Sequence, residues 1–287
     1  MNNIHIRVRT LLSLAAGVAL SFQATVLSAA EPLRVCAAKD EMPYSNAAGE
    51  GFENRLAERV AELLGRPLEI VQSDRAAIYH VQEYLNAGKC DVIMGLDSTD
   101  PRVLTTKPYY RASYFFVVKR DGGPDIHDWN PEAWQKINKV AFAQGSPAEA
   151  MIREVGLFER NLSYIYSLIG FKPKRNEYIR FQPSRLISEV SSGVADVAIV
   201  WGPEAAPYIA QSTVPLEMRP VPDGTWQGNP ILFQYEQSMG VRTGNEALRD
   251  ALNQLIATHG PALRQELVDL GIPVTDPDAA RVAAAPH

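Results

Sequence analysis

Five histidines, His5, His80, His127, His259 and His287, carry the side chains that titrate nearest neutral pH, and no two stand at metal-ligand spacing. Neither a Gly-x-Ser-x-Gly elbow, a Walker loop nor a dinucleotide-binding glycine pattern occurs, so acyl transfer, nucleotide hydrolysis and hydride transfer lack a fingerprint. Asp40, Glu41, Asp97 and Asp100 can converge from neighbouring loops, but their spacing misses the calcium-binding pattern and solvated loop acids explain them as well. The two cysteines, Cys36 and Cys90, form no Cys-x-x-Cys pair and give a metal site little support. The residues point to binding rather than to catalysis, and no cofactor or metal is expected on the chain itself.

The elements that must position these residues belong to a packed globular protein. Of 287 residues 46% are apolar and 21% charged, which excludes disorder, collagen and coiled coil. The length suits one large domain or two ordinary ones, and two lobes are expected. A net charge of −5 offers no footprint for nucleic acid or an anionic membrane.

Residues 1–30 have a leader profile: Arg7 and Arg9, an uncharged stretch over 10–30 with an apolar centre at 11–22, and small residues Ser28, Ala29 and Ala30 before the cut. Gln23, Thr25 and Ser28 interrupt the run before the roughly 20 apolar residues a membrane span needs. A mature, soluble, periplasmic chain of 257 residues starting at Glu31 follows. Export places Cys36 and Cys90 where thiols oxidise, which allows a disulfide; two buried free thiols are the alternative.

Residues 33–38 read as a buried strand, and Phe52, Leu56, Val60, Leu63 and Leu64 recur at helical spacing until Gly65. Strand 68–71, a helix carrying Ile78, Val81 and Leu85 on one face, and strand 91–95 follow. This alternation predicts an α/β fold with parallel sheets flanked by helices. Leu85-x-x-Gly88-x-x-Asp91-Val92 returns as Val190-x-x-Gly193-x-x-Asp196-Val197, offset by 105 residues, as if one unit were built twice. Strand 139–143 leads into Ser146-Pro147-Ala148-Glu149, a capping box with proline at the first helical position. The chain is expected to leave the first lobe near Asp121-Gly122-Gly123-Pro124 and return near 233–241. Two helices then complete that lobe, one with Leu248, Leu252 and Leu255, the other started by Pro261. The expected division is lobe one over 31–118 and 236–273, lobe two over 119–235, and a frayed tail over 274–287.

Gly51-Phe52-Glu53, Gly88-Lys89-Cys90-Asp91-Val92 and Lys107-Pro108-Tyr109-Tyr110 resemble the type II periplasmic solute-binding proteins across nearly the whole mature chain. The segments LRVCAAKDEMPYSNAAGEGFENRLAE, NAGKCDVIMG, LTTKPYYRASY, ADVAIVWGP and QYEQSMGVR are similar to the quinoprotein-dehydrogenase-associated branch, the MoxJ/XoxJ-like methanol oxidation accessory proteins. The resemblance implies two α/β lobes joined by two hinge strands, a cleft between them, and a partner in a methanol dehydrogenase large subunit, its cytochrome c, or both. PQQ and a metal ion would belong to that partner enzyme.

Loops at the carboxyl ends of strands nominate Lys39, Asp40, Met42 and Tyr44 for the cleft, followed by Asp97, Thr99 and Arg102. Amino-acid-binding relatives grip a ligand carboxylate with a Thr-x-x-Arg element, and Thr99-Asp100-Pro101-Arg102 has its letters; an exposed turn arginine is the alternative. Gln144 and Ser146 lie where relatives offer helix N-terminal amides to an anion, against which stands an ordinary capping role for Ser146 and Glu149. Where such relatives place a carboxylate for the ligand ammonium, this chain has Trp201, an apolar platform or a packed aromatic. With Tyr109, Tyr110 and the aromatic run 114–116, the cleft is expected to be apolar and to favour a peptide, a protein segment or an apolar molecule over a free amino acid. An importer's receptor for a small organic solute is the alternative function.

Overall fold

The computed structural model describes residues 30–168 and 182–281. Residues 1–29, which hold all but the last residue of the expected leader, 169–181 and the last six residues lie outside them. Strand Leu33–Ala38 runs parallel to Leu68–Ser73, in register from Leu33 opposite Leu68 to Ala38 opposite Ser73, and parallel to Val92–Asp97 on its other side. Helix Phe52–Leu63 turns Phe52, Leu56 and Val60 toward this sheet, as the 3.6-residue spacing requires.

The next neighbour breaks the parallel pattern. Strand Gln234–Val241, distant in sequence, pairs antiparallel with Val92–Asp97 and with the first four residues of the ten-residue strand Tyr110–Lys119. From Tyr114 onward the long strand pairs instead with Val197–Trp201, which lies parallel to Val140–Phe142. Its far end, Phe115 to Lys119, also carries Leu216–Pro220. One hydrogen-bonded sheet therefore continues through Tyr110–Lys119. The buried apolar residues do not merge likewise: one cluster draws on residues before Ser113 and after Gln237, while two others draw on Phe116 to Phe233.

The duplicated wording has a structural counterpart. Gly88 and Gly193 both adopt left-handed φ, 72° and 79°. Asp91 accepts the backbone N–H of Arg34 at 3.1 Å, and Asp196 accepts that of Lys139 at 3.0 Å. Each aspartate returns its own N–H to the carbonyl of the same residue. Arg34 and Lys139 are separated by the same 105 residues, so each copy uses its aspartate to fasten the start of the neighbouring parallel strand.

Three expectations change. The stretch carrying Ile78, Val81 and Leu85 is a 3-10 turn, Ala77–Tyr79, followed by a π-type turn, Val81–Leu85. Ile78, on the 3-10 turn, is 54% exposed while Val81 and Leu85 on the following turn are buried. The two C-terminal helices are one, Glu246–Asp269, with Pro261 inside. The stripe Leu248, Leu252, Leu255, Leu263 and Leu267 stays buried across the proline, and that burial outweighs the lost backbone hydrogen bond, about 3 kcal/mol. The tail is not frayed over Val274 to Arg281. Val274–Thr275 pairs with the long strand, buried Arg111 donates to the carbonyls of Ala279 and Pro277, and Arg264 pairs with Asp276. Aperiodic sequence hides such anchoring, because the partners are long-range arginines.

Cys36 and Cys90 form a disulfide, with Cα atoms 5.6 Å apart, both side chains buried beside Val81, Leu85 and Ile93. It closes a loop across 54 positions. Thiol titration of the unreduced, denatured protein should therefore find no free thiol on the mature chain, and Cys90→Ser should lower stability by about 2–4 kcal/mol in denaturant unfolding.

Candidate functional site

Two adjoining hollows share Glu204 and Gln237 in their walls. The first, about 250 Å³, lies over the carboxyl end of Leu33–Ala38 and is lined by Glu41, Tyr44, Glu53, His80 and Arg102 among others. The second, about 270 Å³, is lined by Tyr114, Trp201 and Tyr235.

Glu53 is the second residue of helix Phe52–Leu63, and its carboxyl lies against Gly95 so closely that a Cβ there would collide with it. Enclosure in protein pushes its pKa up to about 8, because burial penalises the charged form, and the nearby charge of Glu41 adds to this. Glu53 thus holds a proton at neutral pH. Glu41 itself, 7% exposed, accepts the Ala77 N–H at 2.7 Å. Burial lowers the His80 pKa, and a ring nitrogen lies 3.2 Å from the Arg75 carbonyl, so the imidazole is neutral. Tyr44 and Tyr114 are pushed up, first by burial and then by the charge of Glu204.

Glu204 and Trp201 reach these hollows because helix Gly202–Ala210 begins hard against the long strand. A Cβ on Gly202 would come within 2.6 Å of the Phe115 ring and 2.9 Å of the Ser113 carbonyl, so the close approach requires glycine. The Trp201 ring centre is 5.2 Å from that of Tyr114 and 6.0 Å from that of Tyr235, and the two tyrosines are 6.4 Å apart. The planes are mutually inclined by 55° to 69°, which makes three walls rather than a stack.

Of the residues nominated from sequence, Tyr44, Arg102 and Trp201 line the hollows, as do Tyr114 of the aromatic run and Glu41 of the loop acids. The remainder are placed elsewhere. Lys39 pairs with Asp74 at 2.9 Å on the surface, and Asp40 is exposed opposite Asn46 in a two-residue ladder. Met42, 38% exposed, precedes a cis proline. Asp97 accepts the Thr99 amide and hydroxyl at 2.9 and 2.6 Å, closing a local turn. The Arg102 fork is bound by Asp100, Nε at 2.9 Å and Nη2 at 2.6 Å, so the guanidinium is already satisfied by its own turn.

Tyr109 and Tyr110 pack edge to face in the core, 0% and 2% exposed, with the Tyr109 hydroxyl donating to the Met94 carbonyl at 2.7 Å. The preceding strand signal could not say which face each would take. Gln144 and Ser146 precede helix Pro147–Glu154 and line neither hollow. The Ser146 hydroxyl has no partner, and Glu149 accepts from Gly145 N–H at 2.9 Å rather than closing the expected box on Ser146.

Sequence reasoning missed Glu53, Glu204, Tyr235 and Gln237. Glu204 was within reach, three residues after Trp201 and on the first turn of the helix that Trp201 precedes; the others come together only by long-range pairing. Glu41, Glu53, Glu204 and Arg102 share the wall of the first hollow with Cys36, Ala37, Ile78, Ile93 and Leu96, so its lining mixes charged and apolar groups.

Because Glu53 binds a proton more tightly folded than unfolded, its stabilising contribution is complete below its unfolded pKa near 4.5 and is lost as pH rises through about 8. Glu53→Gln should flatten the decline of melting temperature between pH 5 and 8, the variant gaining on wild type with each pH step; parallel curves would contradict the assignment.

Residues 33–260 match bacterial extracellular solute-binding proteins, family 3. The chain is 39% identical over 244 residues to Protein MoxJ of Methylorubrum extorquens, covering 84% of this chain and 81% of that one. It is 35% identical over 262 residues to Protein MoxJ of Paracoccus denitrificans, covering 91% and 95%. The crystal structure of MxaJ from Methlophaga aminisulfidivorans MPT superimposes with a TM-score of 0.80 at 46% identity, covering 85% of this chain and all of that one. The duplicated strand fastening, the antiparallel crossing strand and these likenesses agree: the chain has the α/β fold of type II periplasmic binding proteins and belongs to family 3 of the bacterial extracellular solute-binding proteins, in its MoxJ/MxaJ group.

Proposed function

We propose that the chain is a periplasmic accessory protein of a PQQ-dependent methanol dehydrogenase system, which uses a solute-binding cleft to hold a dehydrogenase subunit or its cytochrome c during assembly or activation. The 46% identity to MxaJ over the whole of that chain carries this reading. Two features of the site support it. Arg102, the residue with the letters of a carboxylate grip, is taken by Asp100, and Trp201 stands at the end of the strand where an ion-pairing carboxylate would serve a free amino acid. PQQ and the metal ion remain with the partner enzyme. Among the described residues no helix is long and apolar enough to cross a membrane.

In this reading the clusters before Ser113 and after Gln237 form one lobe and those between form the other, with Tyr110–Lys119 and Gln234–Val241 as the crossing strands about which the lobes move. The small hollow with acids and an arginine in its wall favours a second reading, an importer's receptor for a small organic solute.

Co-elution on gel filtration separates the two. The mature chain mixed at micromolar concentration with methanol dehydrogenase and its cytochrome should shift to a larger species; free elution, together with a solute-induced rise in melting temperature, would favour the receptor.

A further inference from the structure

The stretch 274–281 is tied to both halves of the fold. Val274–Thr275 pairs with Ala112 and Arg111 on the long strand. Arg264, on helix Glu246–Asp269, pairs with Asp276 and donates Nη1 to the Tyr109 carbonyl at 3.2 Å. Buried Arg111 divides its fork between the Pro277 and Ala279 carbonyls and Glu236, the last at 3.0 Å. Tyr109 and Ala112 belong to the first apolar cluster, as do Leu263 and Leu267 on either side of Arg264. Arg281 reaches the other way. Its Nε lies 3.2 Å from the Asp223 carboxylate, and its Nη2 donates to the Gln234 carbonyl at 2.6 Å. Asp223 is held in turn by the Phe233 N–H at 2.7 Å, between Val221 and Phe233 of the second cluster.

Among residues 276–281 only Pro277 is buried, so this stretch is placed by polar links at its two ends rather than by an apolar face. The links differ in how easily they part. Removing the tail from Arg111 would leave a buried charged donor without acceptors, which is costly. The Arg281 and Asp223 side chains are 37% and 27% exposed, so water competes for that pair. Slack between the ends is small, because the two residues after Ala279 span at most about 7 Å. A rotation that carries Asp223 away from Arg111 must therefore part Arg281 from its acceptors. The strand held at Gln234 continues into Tyr235, which lines the aromatic hollow.

We propose that residues 274–281 form a strap across the hinge, fixed to the first lobe by Arg111 and Arg264 and latched to the second by Arg281 on Asp223 and the Gln234 carbonyl, which restrains rotation of the lobes about the crossing strands. The inference rests on reading the clusters as two lobes, and adds what limits their motion. A restrained gap presents one fixed surface, on which a folded partner docks with less freedom to lose.

The test is the distance between spin labels on the two lobes, measured by double electron–electron resonance on the mature protein. Labels go on Glu58→Cys and Glu154→Cys, both exposed, and the disulfide leaves these as the free thiols. Arg281→Gln and Asp223→Asn are compared with the parent at a temperature where circular dichroism shows all of them folded. The parent should give one narrow distribution, and each variant should shift or widen it by more than about 2 Å. The double variant should move no further than Arg281→Gln, because both changes open one latch. Parent and variants agreeing within that margin, a parent already as broad as the variants, or additive effects in the double variant would overturn the proposal. Restraint without dehydrogenase association would remove the accessory function and leave the strap; association with unrestrained lobes would do the reverse.

Discussion

The strand Tyr110–Lys119 hydrogen-bonds at one end to Gln234–Val241 and at the other to Val197–Trp201, and the geometry of both hollows follows from that divided loyalty. Tyr114 stands at the changeover, paired across the sheet with Trp201. Tyr235 arrives on the returning strand, one position from the pairing of Gln234 with Ser113. Three rings from distant parts of the chain meet because one strand cannot be shared between two neighbours without bringing their ends together. Gly202 then lets a helix start in the space that remains, and Glu204 follows one turn along.

Charge in the adjoining hollow is arranged by burial rather than by pairing. Glu53 keeps its proton because the cost of desolvating a carboxylate exceeds what its surroundings return. Arg102, which on letters alone would answer that charge, is occupied two residues away by Asp100, since the local turn presents both carboxylate oxygens at no cost in chain closure. The result is a pair of adjoining hollows lined by acids, one arginine and aromatic rings.

Much of the fold was legible because it depends on short-range periodicity. Strand Leu33–Ala38, helix Phe52–Leu63 and strand Val197–Trp201 lie where apolar spacing and glycine stops put them. The duplicated Gly-x-x-Asp turn was visible too, and its aspartates do equivalent work on Arg34 and Lys139. The site was less legible. Tyr109 and Tyr110 looked like cleft aromatics and are core, because alternation along a strand fixes relative but not absolute facing. Ser146 had every letter of a capping box, yet Glu149 reaches past it to Gly145.

The sequence by itself determined the α/β alternation, the repeated unit, and the family resemblance, since these are written in neighbouring residues and in segments of contiguous chain. Only the tertiary structure decided that Cys36 faces Cys90, that 274–281 is anchored by Arg111 and Arg264, and that Glu204 and Tyr235 join Trp201 around one space. Most of those contacts join residues dozens to more than a hundred positions apart, and their geometry is fixed by sheet pairing and close packing, which no local pattern encodes.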